Sequence, residues 1–199
     1  MQYSTFAAID IGSYDVILEI FEISKKQGIR SVDKICHRME LGKDTYTLGK
    51  IRPEMEEELC RVLADFVRIM EGYRVDDYRA TASSAISEAS NSLYVLGKIH
   101  QLTGLSVTVL SNSEQRFLSY KALAAMEDNF NKIIEKGTAI LDLDGGSFQI
   151  SLFDKDALVT TQNIRMGSLR IRERLAGIQS ETEHYEEMVE ELIWNEVSS

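Results

Sequence analysis

Two cysteines are all the sequence has, and neither lies in a CxxC pair or beside a histidine cluster. Cys36 falls in a strand-like run and Cys60 on an apolar helix face. Neither zinc nor a disulfide framework is indicated, and two buried, reduced thiols are expected. No apolar run approaches the ~20 residues that span a bilayer, and no basic segment precedes an apolar one at the N-terminus. No membrane association is expected, and the default compartment is the cytoplasm. Bases are scarce, 22 Lys and Arg against 32 Asp and Glu, for a formal charge of −10. The deficit sits in the tail: residues 1–125 carry 17 acids and 15 bases, residues 126–199 carry 15 and 7. Bulk electrostatics therefore gives no steering toward nucleic acid, and a polyanionic substrate needs a local cationic patch or a metal.

The hydrophobic content of 44% is that of a globular protein and argues against disorder. Within it one pattern occurs twice. "AAIDIGSYDVILEIF" near the N-terminus and "AILDLDGGSFQISLF" from Ala139 each run apolar strand, Asp, glycine turn, apolar strand. The spacing is too wide for a solenoid, whose units recur every few tens of residues. Two related lobes are expected instead.

Residues 5–10, 15–22 and 29–38 read as an antiparallel meander, with "DIGS" and "KKQG" as turns. A helix follows over "PEMEEELCRVLADFVRIMEG", with Pro53 at its start, acids in its first turn, Leu59, Val62, Leu63, Phe66 and Met70 on one face, and Gly72 as a stop. "DYRATA" reads as a short strand. "SSAIS" then introduces a helix with Ala89, Leu93, Leu96 and Ile99 on its apolar face, ending near Gly104. Next come the strand "SVTVL", a helix from 113 to about 126, and a second meander over 138–143, 147–153 and 157–164. The acidic tail places Tyr185, Met188, Val189, Leu192 and Ile193 at helical spacing with its glutamates on a solvated face. The predicted order is βββαβαβα over a first lobe, 1–125, and βββα over the start of a second, 126–199, with the boundary in "MEDNFNKIIEKG". The second lobe reads as truncated, with an open strand edge able to pair with another chain, as in a homodimer.

Glycine turns let backbone N–H groups converge on an anion, and two of them can clasp a phosphate chain. Gly12 and Ser13 in the first copy, and Gly145, Gly146 and Ser147 in the second, are the candidate phosphate-binding residues. Asp10 and Asp142 end the preceding strands and are placed to hold a divalent cation, or else only cap their turns. Glu114 opens a helix just past a strand. It can orient or deprotonate a water for in-line attack on phosphorus. Equally, Ser111 to Glu114 spells S-x-x-E, a capping box with no chemistry to perform.

Five stretches in order, "AAIDIGSYDVILEIFEI", "ATASSAISEASN", "LSNSEQRFLSYKAL", "AILDLDGGSFQISLF" and "IRMGSLRIRERL", resemble the successive motifs of the exopolyphosphatase and guanosine pentaphosphate phosphatase (Ppx/GppA) family. The resemblance implies an α/β fold of the two-lobe actin-like ATPase and sugar-kinase (ribonuclease H-like) type, with phosphate bound between the lobes. It also implies hydrolysis of the terminal phosphoanhydride of polyphosphate or guanosine pentaphosphate, with Mg²⁺. Glu114 matches the family's catalytic glutamate; Asp10, Gly12 and Ser13 match its first phosphate loop.

Several family positions have changed. The usual Asn and Ser of the first loop are Tyr14 and Asp15, E-A-R after the glutamate is met by Gln115, Arg116 and Phe117, and a phosphate-facing Arg is Ser87. In the second loop D-I-G-G-G-S-T-E has become "DLDGGSFQ", with Asp144 for Gly, Phe148 for Thr and Gln149 for Glu. Losing an Arg removes a bidentate phosphate donor, and Asp144 adds negative charge beside a site for polyanions. Tyr14 and Phe148 are read as bulk at equivalent places in the two turns. Two further functional readings stand beside the hydrolase: a phosphate- or nucleotide-binding regulatory relative without turnover, and an interaction module that oligomerises through its incomplete lobe.

Overall fold

The computed structural model describes residues 3–126, 130–176 and 184–198. The chain divides into two compact units, Met1–Leu110 and Ser111–Ser199.

The first unit is built on a five-stranded sheet. β1 (Ser4–Ile11) and β2 (Asp15–Ser24) form a hairpin, and β3 (Gly28–Arg38) extends it. Alternation decides which face turns inward: Ala7, Ile9 and Ile11 of β1 lie opposite Ile20, Leu18 and Val16 of β2, and all six are fully enclosed. After α1 (Leu41–Leu48) and α2 (Pro53–Tyr73) the chain returns as β4 (Asp77–Ala82), parallel to β1. α3 (Ser84–Ser87) and α4 (Ser92–Thr103) lead to β5 (Val107–Val109), parallel to β4, giving the order β3-β2-β1-β4-β5. α2 covers the sheet with Leu59, Val62, Leu63, Phe66 and Met70. Each such side chain contributes about 1.5–3 kcal/mol by leaving water.

The strands and α2 fall where the sequence pattern puts them, with three local differences. α2 runs past Gly72 and ends at Arg74, a non-glycine in the left-handed region (φ 53°). The expected helix from "SSAIS" is two helices; α4 starts at Ser92, so its inner face is Val95 and Ile99, and Leu93 is exposed. Cys60 is buried as expected, but Cys36 is exposed, because it falls on the face of β3 opposite Ile35, which packs against the core.

The second unit holds α5 (Asn112–Met126), α6 (Phe130–Ile134), the antiparallel meander β6 (Thr138–Leu143), β7 (Phe148–Asp154) and β8 (Ala157–Ile164), then α7 (Ser168–Leu175) and α8 (Tyr185–Val197). The division falls after Leu110, ahead of the expected boundary at 125, and side chains explain why. α5 is tied to the second sheet: the Arg116 guanidinium donates to Thr161 Oγ1 at 2.9 Å, Ser119 Oγ donates to Asp142 at 3.2 Å, and the Tyr120 ring meets Phe153 edge-on at 5.2 Å. α5 thus belongs to the second unit, and Glu114 with it. Part of the polar stretch expected to form the boundary, residues 127–129, lies outside the described residues, as do residues 177–183 ahead of the acidic tail helix. Among the described residues no helix is long and apolar enough to cross a membrane.

Candidate functional site

The two hairpin tips share one hydrogen-bonding plan. In the first, Ile11 pairs with Val16 and the Gly12 N–H donates to the Asp15 carbonyl at 3.0 Å. In the second, Leu143 pairs with Phe148 and the Asp144 N–H donates to the Ser147 carbonyl at 2.9 Å. Asp10 faces Ile17 across the first hairpin as Asp142 faces Gln149 across the second. The equivalences are therefore Gly12 with Asp144, Ser13 with Gly145, Tyr14 with Gly146, and Val16 with Phe148. Tyr14 and Phe148 are not equivalent, which corrects the expectation from the sequence. Tyr14 stands in the turn with the Arg38 guanidinium 4.2 Å over its ring, whereas Phe148 is the first residue of β7.

The first tip is bound tightly to its neighbours. The Ser13 side chain is fully buried, and its hydroxyl is hydrogen-bonded to Tyr46 at 2.6 Å and Ser84 at 3.3 Å. The Tyr14 carbonyl accepts the N–H groups of Met39 and Glu40, and the Ser13 carbonyl accepts that of Gly42 at 2.8 Å, so the turn seats the start of α1. Gly12 is obligatory, since a Cβ there would lie 2.9 Å from the Asp15 carbonyl oxygen and 3.9 Å from Asp10 Oδ2. Asp10 is exposed. Ser87, where the resemblance implies an arginine, is exposed on α3, and its N–H donates to the Ser83 carbonyl at 3.1 Å. It has no charge to offer a phosphate.

The second tip is seated on α7. The carbonyl of Asp144 accepts the Ser168 N–H at 3.0 Å, that of Gly145 accepts Leu169 at 3.0 Å and Arg170 at 3.3 Å, and that of Gly146 accepts Arg170 Nε at 2.7 Å. The peptide bonds are trans, so each N–H lies on the opposite edge of its plane from the preceding carbonyl. Three carbonyls drawn to α7 therefore turn the N–H groups of Gly145, Gly146 and Ser147 away from it. All three residues are buried, and such a run of amides on one edge of a turn is the donor array of an anion nest. Gly167 makes the approach possible: a Cβ there would lie 2.3 Å from Gly145 C and 2.4 Å from the carbonyl oxygens of Asp144 and Gly145. The roles of Gly167, Ser168 and Arg170 are not legible in "MGSLR", because a helix start docking on a distant turn has no local signature.

The same unit carries the acidic groups Glu114, Asp142 and Asp144. Glu114 forms the capping box: its Oε2 accepts both the N–H and the hydroxyl of Ser111 at 2.8 Å, and its own N–H donates to Ser111 Oγ at 3.2 Å. This fixes the carboxylate at the exposed first turn of α5. Asp142 is half-buried and borders a cavity of about 300 Å³ with Arg116, Ser119, Tyr120, Gln149 and Ser151. Gln149 is 4% exposed, and its Oε1 has no hydrogen-bond partner among the described residues. Asp144 is half-buried too, and its Oδ1 accepts the Gly145 N–H. Burial pushes the Asp144 carboxyl above its ordinary range, the Gly145 N–H opposes the rise and Asp142 adds to it.

Of the residues singled out from the sequence, the first unit brings together Asp10, Gly12, Ser13 and Tyr14. The second brings together Asp142, Asp144, Gly145, Gly146, Ser147, Phe148 and Gln149, with Glu114 and Gln115 at the start of α5.

Comparison with known proteins adds four findings. The chain matches the family model described as the Ppx/GppA phosphatase family over residues 19–199. It is 22% identical over 174 residues to the bifunctional 3-dehydroquinate synthase/phosphatase of Fusobacterium nucleatum, covering 84% of this chain and 26% of that protein. It is 25% identical over 144 residues to exopolyphosphatase 1 of Mycobacterium leprae, covering 72% of this chain and 41% of that protein. The chain thus spans less than half the length of these two relatives. Among solved structures, a Ppx/GppA family member of Aquifex aeolicus superposes with a TM-score of 0.73 at 23% identity, over 99% of this chain and 62% of that one. The fold is the expected α/β superfold of actin-like ATPases and sugar kinases.

Proposed function

Because the chain belongs to the Ppx/GppA phosphatase family, we propose that it binds the terminal phosphate of a phosphoanhydride, inorganic polyphosphate or guanosine pentaphosphate, and hydrolyses it through a site altered at several family positions. The observation that carries the reading is the second hairpin tip. Its carbonyls are held by α7, and the amides of Gly145, Gly146 and Ser147 face the other way. Fixed amides stabilise a phosphoryl group without reorganising as charge moves during transfer.

Glu114 is the residue assigned to water. The capping box holds one carboxylate oxygen in place, and a base that is already positioned loses little freedom in reaching a nucleophile. The capping and catalytic readings of Glu114 are thereby compatible. Gly12 and Ser13 shape the first tip: the buried Ser13 hydroxyl acts there as a tie to Tyr46 and Ser84.

Mg²⁺ suits the residues available. Asp142 offers a carboxylate, Gln149 Oε1 is a buried carbonyl oxygen in need of a partner, and Ser119 and Ser151 border the same cavity. These are hard oxygen donors, as Mg²⁺ requires. Asp10 is the corresponding carboxylate of the first unit. Among the described residues no three His, Cys, Asp or Glu form a cage, which agrees with an ion bound through one or two carboxylates and the phosphates themselves. Bound there, it would neutralise phosphate oxygens.

A second reading, a relative that binds phosphate without turnover, is favoured by the Asp144 carboxylate on the Gly145 amide and by Ser87 in place of a cation. Phosphate release from inorganic tripolyphosphate and from guanosine pentaphosphate, with Mg²⁺, separates the two. Hydrolysis that falls about 10²- to 10⁴-fold in Glu114→Gln is expected. Binding without release would favour the second reading, and equal release from both proteins would remove Glu114 from the chemistry.

A further inference from the structure

The shared hydrogen-bond plan makes the two turns comparable position by position, and at one position they are opposites. Gly12 leaves no room for a side chain, its Cβ site lying 2.9 Å from the Asp15 carbonyl oxygen. Asp144 stands at the same point of the second turn and carries a carboxylate. That carboxylate does not point into solvent. It folds back onto the next residue, where Oδ1 accepts the Gly145 N–H. Gly145 N–H is the first of the three amides turned away from α7. An anionic oxygen is therefore already seated on the donor that the turn would offer to an anionic ligand.

We propose that Asp144 is an internal competitor for the phosphate loop, a specificity-determining residue whose carboxylate occupies the Gly145 amide and lowers the loop's affinity for free phosphoanhydrides. The inference rests on the reading of this loop as a phosphate site. Two physical effects act together. One N–H cannot serve a carboxylate and a phosphate oxygen at full strength, so the ligand must displace Asp144 or forgo that bond. A displaced carboxylate also remains beside the ligand as a like charge, with Asp142 already near it. The loop as built disfavours a bare polyanion. It favours one whose charge is partly neutralised by a cation.

The test is calorimetric titration of inorganic tripolyphosphate, with Mg²⁺ at fixed ionic strength, into the full chain and into Asp144→Ala and Asp144→Asn, each first shown folded by thermal melting. Ala removes the charge and frees the amide, so it should bind about tenfold tighter or better, the scale of one hydrogen bond to a charged group. Asn removes the charge but keeps an acceptor for the Gly145 N–H, and should fall between Ala and the parent. A role confined to holding the turn predicts the opposite, weaker binding in Ala. If the parent binds and neither variant is tighter, the competitor role is wrong while the loop remains a phosphate site. If all three are folded and none binds, the reading of the loop falls and the inference with it. Should Ala not fold, Asn alone decides: tighter binding than the parent supports the role, and unchanged binding overturns it.

Discussion

Replacing Gly167 with alanine drives a methyl group into the backbone of the second hairpin tip. The added Cβ would lie 2.3 Å from Gly145 C, against the 3.4 Å at which ordinary contact begins. The atoms in the way are backbone, so no side chain can swing aside; α7 and the hairpin tip must separate by about 1 Å. Three bonds then stretch out of range: Ser168 N–H to the Asp144 carbonyl, and the Leu169 and Arg170 N–H groups to the Gly145 carbonyl, now 3.0, 3.0 and 3.3 Å. At about 1 kcal/mol net for each, Gly167→Ala should cost about 3 kcal/mol. For a unit of this size that is a fall in melting temperature of about 12–24 °C. Tripolyphosphate affinity should fall with it, because the carbonyls no longer fix the direction of the amides. Gly97 supplies the control: it lies in α4 with nothing within 4 Å of its Cβ site, and alanine there should stabilise by about 0.5–1 kcal/mol. Urea melts of both variants with titration of the ligand make the measurement. A Gly167→Ala protein as stable as its parent and binding equally well would refute the claim that α7 sets the loop.

Asp144→Asn also has a signature in stability. A carboxyl raised by burial favours folding while protonated and loses that contribution as pH rises through its raised folded value. The Asn protein should therefore gain on its parent between acid and neutral pH in paired urea melts; a difference independent of pH would contradict the assignment. In the first unit, Glu56 is buried with Lys98 Nζ at 3.3 Å and Asn91 Nδ2 at 2.8 Å. Lys98→Met strands that carboxylate with one neutral donor and should destabilise by about 3 kcal/mol in the same assay. A loss below 0.5 kcal/mol would show that the ion pair carries no weight.

Much of this was legible in the sequence because it is local. Alternation marks β1 and β2, and Pro53 with the period through Leu59, Leu63, Phe66 and Met70 marks α2. The Asp-and-glycine turns and the S-x-x-E box could likewise be read, and Ser111 and Glu114 form the box. What escaped is set by register and by distant contact. Matching the turns by their Gly-Ser letters paired Tyr14 with Phe148, whereas the ladder pairs Tyr14 with Gly146, an offset visible only in hydrogen bonds. The place of α5 depends on Arg116, Ser119 and Tyr120 reaching the second sheet, and nothing near residue 125 reports it. Cys36 lies in the strand expected for it, but which face of β3 it turns to depends on register, and that face is exposed.

The account turns on the amides of Gly145, Gly146 and Ser147 receiving a phosphoanhydride. The direct measurement is the amide ¹H–¹⁵N spectrum of the full chain during titration with tripolyphosphate and Mg²⁺. Large, saturable shifts of the Gly146 and Ser147 amide protons are expected, with Gly145 joining them once Asp144 is replaced by alanine. Saturation that leaves all three unmoved while residues elsewhere respond would contradict it.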